Sequence, residues 1–175
     1  MPTKLSRCQA FYLFSVVLIS CLGSTVAARE PWRLIHIPDP VARRATIAAL
    51  EAASARFADG DCRRIFTDFE DGDGRSLADR LSAVAVDIHA YLRMVTFIDD
   101  TQHKMCVTGA LAFTNPGSRV VRVCVEELKR IDAHRHDYVV ASLIHEILHT
   151  LGLGENPPSS REITARVLAR CGHKE

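Results

Sequence analysis

The chain has 175 residues, of which 47% are apolar and 25% are charged, with 22 basic and 21 acidic side chains. This balance argues against intrinsic disorder and against a nucleic-acid partner, because the chain has no basic excess that would neutralise phosphates. The length suits one globular domain that buries its own core.

The N-terminus has the features of an export signal. Two basic residues precede the apolar run 11–19, which is too short to span a bilayer comfortably. Small residues at 24–28 then offer small-x-small cleavage sites. We therefore predict a signal peptide over 1–27, a single domain over 28–175, and a secreted or periplasmic protein.

Two alternatives for this segment stay open. One is an uncleaved N-terminal membrane anchor. The other is a lipoprotein, because Leu18-Ile19-Ser20-Cys21 resembles a bacterial lipobox, in which Cys21 would carry the lipid. We expect a membrane partner only if Cys21 is lipidated, and we expect the protein to be a monomer.

The first part of the mature chain predicts mainly helices. A short strand at 33–37 precedes a helix over 41–57, which is rich in alanine and has apolar residues at helical spacing. The Asp-Gly pairs at 71–74 predict a turn. A capping box predicts that a further helix begins at Ser76 and runs to about residue 90.

The middle of the chain predicts strands. Three segments rich in β-formers lie at 92–98, 106–114 and 120–125. The Asn-Pro-Gly-Ser sequence at 115–118 is a strong turn signal and predicts that the last two strands form a hairpin.

The last part predicts helices again. A polar stretch over 126–136 precedes a helix over 138–151, with Asp137 as its cap and glycines at its end. A last helix is predicted over 161–170. Helices, then strands, then helices indicate an α+β fold rather than alternating βαβ units.

Four cysteines follow the predicted signal peptide, and an even number in an exported chain favours two disulfides over buried free thiols. Four cysteines allow three pairings. Because Cys106 and Cys124 flank the predicted hairpin, we expect them to pair, which leaves Cys62 with Cys171.

The sequence His145-Glu146-Ile147-Leu148-His149 carries the chemistry. His145 and His149 lie four residues apart, so on a helix their side chains are roughly 40° apart on one face and converge on one ion. Zn²⁺ suits two imidazoles, one further ligand and a water molecule. Glu146 is expected to act as the general base that accepts a proton from that water.

Residues 145–155 resemble the HExxHxxGxxH signature of the metzincin zinc peptidases, with Glu155 at the position of the third His. The run His149-Thr150-Leu151-Gly152-Leu153-Gly154 is similar to matrixins, and small secreted bacterial members that resemble snapalysin use Asp at the third position. The resemblance covers about 110–160. It implies a zincin-like fold with a small mixed or antiparallel sheet, an active-site helix and flanking helices.

The chain departs from the family in one respect. Metzincins place a Met in a turn beneath the metal, whereas the methionines here, Met1, Met94 and Met105, all lie upstream. This leaves a second candidate for the third ligand. Glu155 has the metzincin spacing, while Glu162 would bind in the manner of the gluzincins.

Other candidate residues carry weaker signals. They are His134 and His136 for an accessory site or a polar loop, His89 for the core, and Tyr138 or Arg161 for an oxyanion contact.

The sequence thus predicts a secreted zinc-dependent metalloendopeptidase with His145, His149 and Glu155 as metal ligands and Glu146 as the catalytic base. Its partner would be a peptide or protein that lies extended along the strand at 109–113. The alternative is a catalytically weak or inactive zinc-binding protein, secreted or a lipoprotein, with a binding role at the cell envelope.

Overall fold

The computed structural model describes residues 32–172. The predicted signal peptide over 1–27 and the lipobox at Cys21 lie outside these residues. None of the helices formed by the described residues has the length and apolar character needed to cross a membrane.

The described residues form an α+β fold of eight helices and four short strands. The helices are α1 (Pro40–Arg56), α2 (Gly60–Arg63), α3 (Ile65–Asp68), α4 (Leu77–Val84), α5 (Ile88–Leu92), α6 (Lys104–Val107), α7 (Val125–Thr150) and α8 (Ser160–Cys171). The strands are β1 (Ile35–His36), β2 (Thr96–Asp99), β3 (Ala112–Phe113) and β4 (Val120–Val123). The predicted fold class is confirmed at this level.

The four strands form one mixed sheet in the order β1-β2-β4-β3. β1 and β4 both pair with β2 in parallel, while β3 and β4 are antiparallel. The predicted hairpin is therefore confirmed, and the Ser118 amide closes its turn by donating to the Asn115 carbonyl at 2.9 Å. β3 lies at the edge of the sheet, where a further extended chain could pair with it.

The core lies between the sheet and the helices α1 and α7, which pack against each other. α1 contributes small residues to this contact, because Ala42, Ala49 and Ala53 are fully buried. Small side chains let two helix axes approach closely. The C-terminal half of α7 is therefore buried along its length and is rigidly placed.

Both predicted disulfides are confirmed. Cys106–Cys124 joins α6 to the residue before α7, and Cys62–Cys171 joins α2 to the end of α8. The guanidinium of Arg170 also pairs with Asp68 on α3, with Nε at 2.8 Å from a carboxylate oxygen. α8 is thus fixed to α2 and α3. Two disulfides are typical of an oxidising, extracytoplasmic environment.

The single helix predicted over 76–90 is wrong, because the chain breaks between α4 and α5. Asp87 accepts a hydrogen bond from the Ala90 amide at 2.7 Å and so begins α5. An Asp that bonds to a nearby amide in this way competes with helix continuation. The strand predicted over 92–98 is also shifted, since α5 extends to Leu92 and β2 begins at Thr96.

The strand predicted over 106–114 is mostly wrong. The segment begins inside α6, which His103 caps by accepting the Met105 amide at 3.2 Å. Gly109 then adopts a φ of 88°, outside the extended region. Only Ala112–Phe113 remains as a strand.

The prediction that α7 starts after the polar stretch 126–136 is wrong, since the helix already begins at Val125. Ion pairs between side chains three residues apart stabilise its first turns. The backbone leaves helical geometry at Arg135, with φ −145° and ψ 55°, so α7 consists of two segments joined at a kink. Asp137, predicted to cap the helix, lies inside α7 after this kink, and its carboxylate pairs with Arg56.

Candidate metal centre

The second segment of α7 carries both predicted histidine ligands on one face. Apolar residues at helical spacing bury this segment in the core, so His145 and His149 are also buried, each with 4% of its surface exposed. Their ring centroids lie 4.7 Å apart. Buried imidazoles need polar partners, and here the Nε2 atoms of the two tilted rings lie 2.9 Å apart.

The chain turns back towards these histidines because α7 ends at a glycine. Gly152 has a φ of 110°, a conformation that other residues rarely adopt, and its amide donates to the His149 carbonyl at 2.9 Å. A Cβ atom at this position would lie 3.1 Å from the Cβ of Asp71. The turn therefore requires glycine on both conformational and steric grounds, and it returns Glu155 to the face of α7.

Three ligand atoms converge on one point. The Nε2 atoms of His145 and His149 are 2.9 Å apart, and the Oε1 atom of Glu155 lies 3.4 Å and 3.3 Å from them, respectively. Ligand atoms about 2.05 Å from a tetrahedral zinc ion lie about 3.3 Å apart. The donor set and its spacing therefore fit a zinc ion, and this group could hold a metal.

The outer nitrogen of each histidine also has a partner. His149 Nδ1 lies 2.7 Å from the Leu153 carbonyl oxygen, and His145 Nδ1 lies 2.9 Å from the Thr164 hydroxyl. Burial, assisted by the neighbouring His149, lowers the pKa of His145 to about 4. The imidazole of His145 is therefore neutral near pH 7, the form that binds metals.

Glu146 lies next to the three converging residues but makes no hydrogen bond through its Oε2 atom to any described residue. Its side chain is buried, with 8% of the residue exposed. Burial raises its pKa well above the usual value, the negative charge of Glu155 adds to the rise, and the Thr114 backbone opposes it. A buried carboxylate oxygen without a partner is suited to exchange protons with a ligand.

Glu162 does not join this group. Its carboxylate accepts hydrogen bonds from the amide and hydroxyl of Ser159, at 2.8 Å and 2.7 Å, and so forms the capping box of α8. Of the two glutamates considered for the third ligand position, Glu155 thus lies beside the histidines, and Glu162 caps the N-terminus of α8.

The weaker candidates lie elsewhere, with one exception. The partners of His89 and His136 are Ser54 and Asp132, at 2.8 Å and 2.6 Å, as expected of structural residues. Tyr138 is the exception, since it lines the cleft described next.

The candidate metal centre opens into a cleft of about 680 Å³. One wall is formed by β3 and the loop before it, and the other by α7. The floor includes the three converging residues His145, His149 and Glu155, together with Glu146. The walls include Gly109, Phe113, Ile131, Arg135, Tyr138 and Ser142. The cleft therefore runs beside the edge strand β3, which covers only Ala112–Phe113 of the strand predicted at 109–113.

Sequence reasoning missed two contributors to this site. Thr164 approaches His145 from α8, 19 residues later in the chain, and no local motif marks it. The first segment of α7 lines the cleft through Ile131 and Arg135, but its polar sequence was interpreted as a loop rather than a helix.

Comparison with protein families, with curated proteins and with solved structures finds no match to the chain.

Proposed function

We propose that the protein is a secreted zinc-dependent metalloendopeptidase with a zincin-like fold related to the metzincins. The observation that carries this proposal is the convergence of His145, His149 and Glu155 beside the buried Glu146, on the floor of a cleft that follows an edge strand. Each of these residues belongs to the segment that resembles the metzincin signature.

The three converging residues would hold the ion, His145 and His149 through Nε2 and Glu155 through a carboxylate oxygen. A bound Zn²⁺ ion supplies Lewis acidity and lowers the pKa of a water ligand to about 7. Glu146 accepts a proton from the attacking water and passes it to the leaving amine. Its burial and its lack of a hydrogen-bond partner at Oε2 support this role.

The substrate would bind as an extended chain against β3. β3 pairs with β4 on one side only, and its residues line the cleft. Main-chain hydrogen bonds to an edge strand hold a peptide without regard to its sequence, while side-chain pockets give selectivity. This mode of binding favours internal bonds of a polypeptide as the site of cleavage.

Export is supported by the two disulfides, which form and persist in oxidising compartments. The signal peptide predicted over 1–27 is consistent with this location. Lipidation at Cys21 stays the alternative to full secretion.

The metal content of the purified mature protein tests the proposal. We expect about one zinc ion per chain in the wild type, little zinc in His149→Ala and Glu155→Ala, and retained zinc in Glu162→Ala. Glu155→His should restore binding, because it creates the three-histidine site. Cleavage of unfolded casein by the wild type should be abolished by a chelator.

The outcomes separate the alternatives. Loss of zinc in Glu162→Ala with retention in Glu155→Ala would overturn the ligand assignment. Stoichiometric zinc without any cleavage would instead support a non-catalytic zinc-binding protein.

A further inference from the structure

The two histidines differ in what holds their outer nitrogen. His149 Nδ1 lies 2.7 Å from the Leu153 carbonyl, which only accepts hydrogen bonds, so Nδ1 carries a hydrogen. His145 Nδ1 faces the Thr164 hydroxyl at 2.9 Å, and a hydroxyl both donates and accepts. The Leu153 contact therefore requires a hydrogen on His149 Nδ1, whereas the Thr164 contact is satisfied with or without a hydrogen on His145 Nδ1.

The difference between the two histidines matters because their Nε2 atoms lie close together. The two Nε2 atoms lie 2.9 Å apart, the distance of an N–H···N hydrogen bond. The Glu155 carboxylate, which only accepts, also lies 3.4 Å from His145 Nε2. When no cation lies between the rings, a hydrogen on His145 Nε2 therefore has acceptors in reach, and His145 Nδ1 then accepts from Thr164. A cation between the rings requires a lone pair on both Nε2 atoms.

We propose that Thr164 is a positioning residue of the candidate metal centre, whose hydroxyl holds the His145 ring in both tautomers. When a metal binds, His145 releases the Nε2 proton to water and takes up one proton at Nδ1, so its net charge is unchanged. The Thr164 hydroxyl turns from donor to acceptor. The proposal rests on the metal-binding part of the proposed function and is independent of peptidase activity.

α8 is suited to this task because it is held at both ends. Its first turn carries the capping box, and its last residue, Cys171, is bonded to Cys62. Ile163 and Val167 on the same helix are fully buried in the core. The position of Thr164 is therefore set by the core and by a covalent bond, which gives the precise placement that metal ligands need from their hydrogen-bond partners.

The test compares Thr164→Val, which has the same shape without the hydroxyl, with Thr164→Ser, which keeps it. Zinc affinity is measured by competition with a chromogenic chelator. The tautomer of His145 is read from ¹⁵N shifts of the ring nitrogens, with and without zinc. Thr67→Val is the matched control, because the Thr67 hydroxyl bonds only locally, to the Arg64 carbonyl.

We expect wild-type His145 to carry its hydrogen on Nε2 without zinc and on Nδ1 with zinc. Thr164→Val should weaken zinc binding about 10- to 100-fold, the range found when partners of metal ligands are removed. It should also give mixed tautomers of His145 without zinc. Thr164→Ser should restore the affinity and both tautomers, and Thr67→Val should match the wild type.

Three results would overturn the inference. Unchanged zinc affinity in Thr164→Val would remove the role of the hydroxyl while leaving the metal centre intact. A hydrogen on Nδ1 of His145 in the zinc-free wild type would remove the tautomer change. A wild-type protein that binds no zinc would refute the metal centre itself, and this role of Thr164 with it.

Discussion

Replacement of Glu146 by Gln should separate metal binding from catalysis. Gln has nearly the shape of Glu but cannot accept a proton at neutral pH. Glu146 is 8% exposed, and its Oε2 atom has no hydrogen-bond partner among the described residues, so the replacement breaks no such bond at that atom. Glu146 is also outside the group of three converging ligand atoms, so zinc should stay bound.

The expected size of the effect follows from general base catalysis. A positioned base contributes about 10²- to 10⁴-fold to a rate, which corresponds to about 2.7–5.4 kcal/mol of activation free energy at about 1.36 kcal/mol per factor of ten. We therefore expect Glu146→Gln to lower kcat on unfolded casein by at least ~10². The zinc content of the variant should equal that of the wild type.

Glu162→Gln is the matched control for this experiment. It makes the same chemical change at an exposed glutamate of the α8 capping box, a position where Gln also serves. Kinetics and zinc content are measured for both variants and for the wild type. Wild-type kcat in Glu146→Gln would refute the proposed base, and loss of zinc in that variant would show that Glu146 supports the metal rather than the proton transfer.

The other predictions concern stability. Removal of the Cys62–Cys171 disulfide should lower the free energy of unfolding by about 4.8 kcal/mol, and removal of the Cys106–Cys124 disulfide by about 3.2 kcal/mol. The first loss is larger because its disulfide closes a loop of 109 residues rather than 18. Denaturant unfolding of the two double-alanine variants measures both values. Hydrogen bonding from Arg170 lowers the pKa of Asp68, so this pair stabilises the fold above the ordinary aspartate pKa of about 3.9, and its contribution is lost as the pH falls below that value. Arg170→Met should accordingly lower Tm near pH 7 and have a smaller effect near pH 3, and an equal loss at both pH values would contradict this reasoning. Gly152→Ala should destabilise the protein by about 1–3 kcal/mol through backbone strain, which calorimetry tests.

Local signals were sufficient for the parts of the site that lie close together in the sequence. The HExxH spacing, the apolar residues around it and Gly152 together determine a buried helix, its end and the return of Glu155. The cysteine pairing was predicted from one turn signal and is confirmed, although Cys106 lies in α6 rather than at the start of a hairpin strand. The α+β class followed from the order of the elements.

The remaining features depend on contacts that a local pattern does not record. The first segment of α7 has a polar surface, and its ion pairs between neighbouring turns are indistinguishable in sequence from a charged loop. The parallel pairing of β1, β2 and β4 depends on packing against the helices rather than on strand sequence. Thr164 reaches His145 only because α8 docks against α7, so its role requires the tertiary structure.

The Gly117 amide lies in an exposed hairpin turn, a place where amide hydrogens ordinarily exchange quickly with solvent. Here it donates to the His149 carbonyl at 2.8 Å, across the junction between the edge hairpin and the end of α7. Its hydrogen therefore exchanges only when the hairpin and the helix separate. Because the acceptor belongs to a candidate ligand, exchange at Gly117 reports the opening of the metal centre in the folded protein, and an ion that fixes His149 should slow that exchange without contacting Gly117.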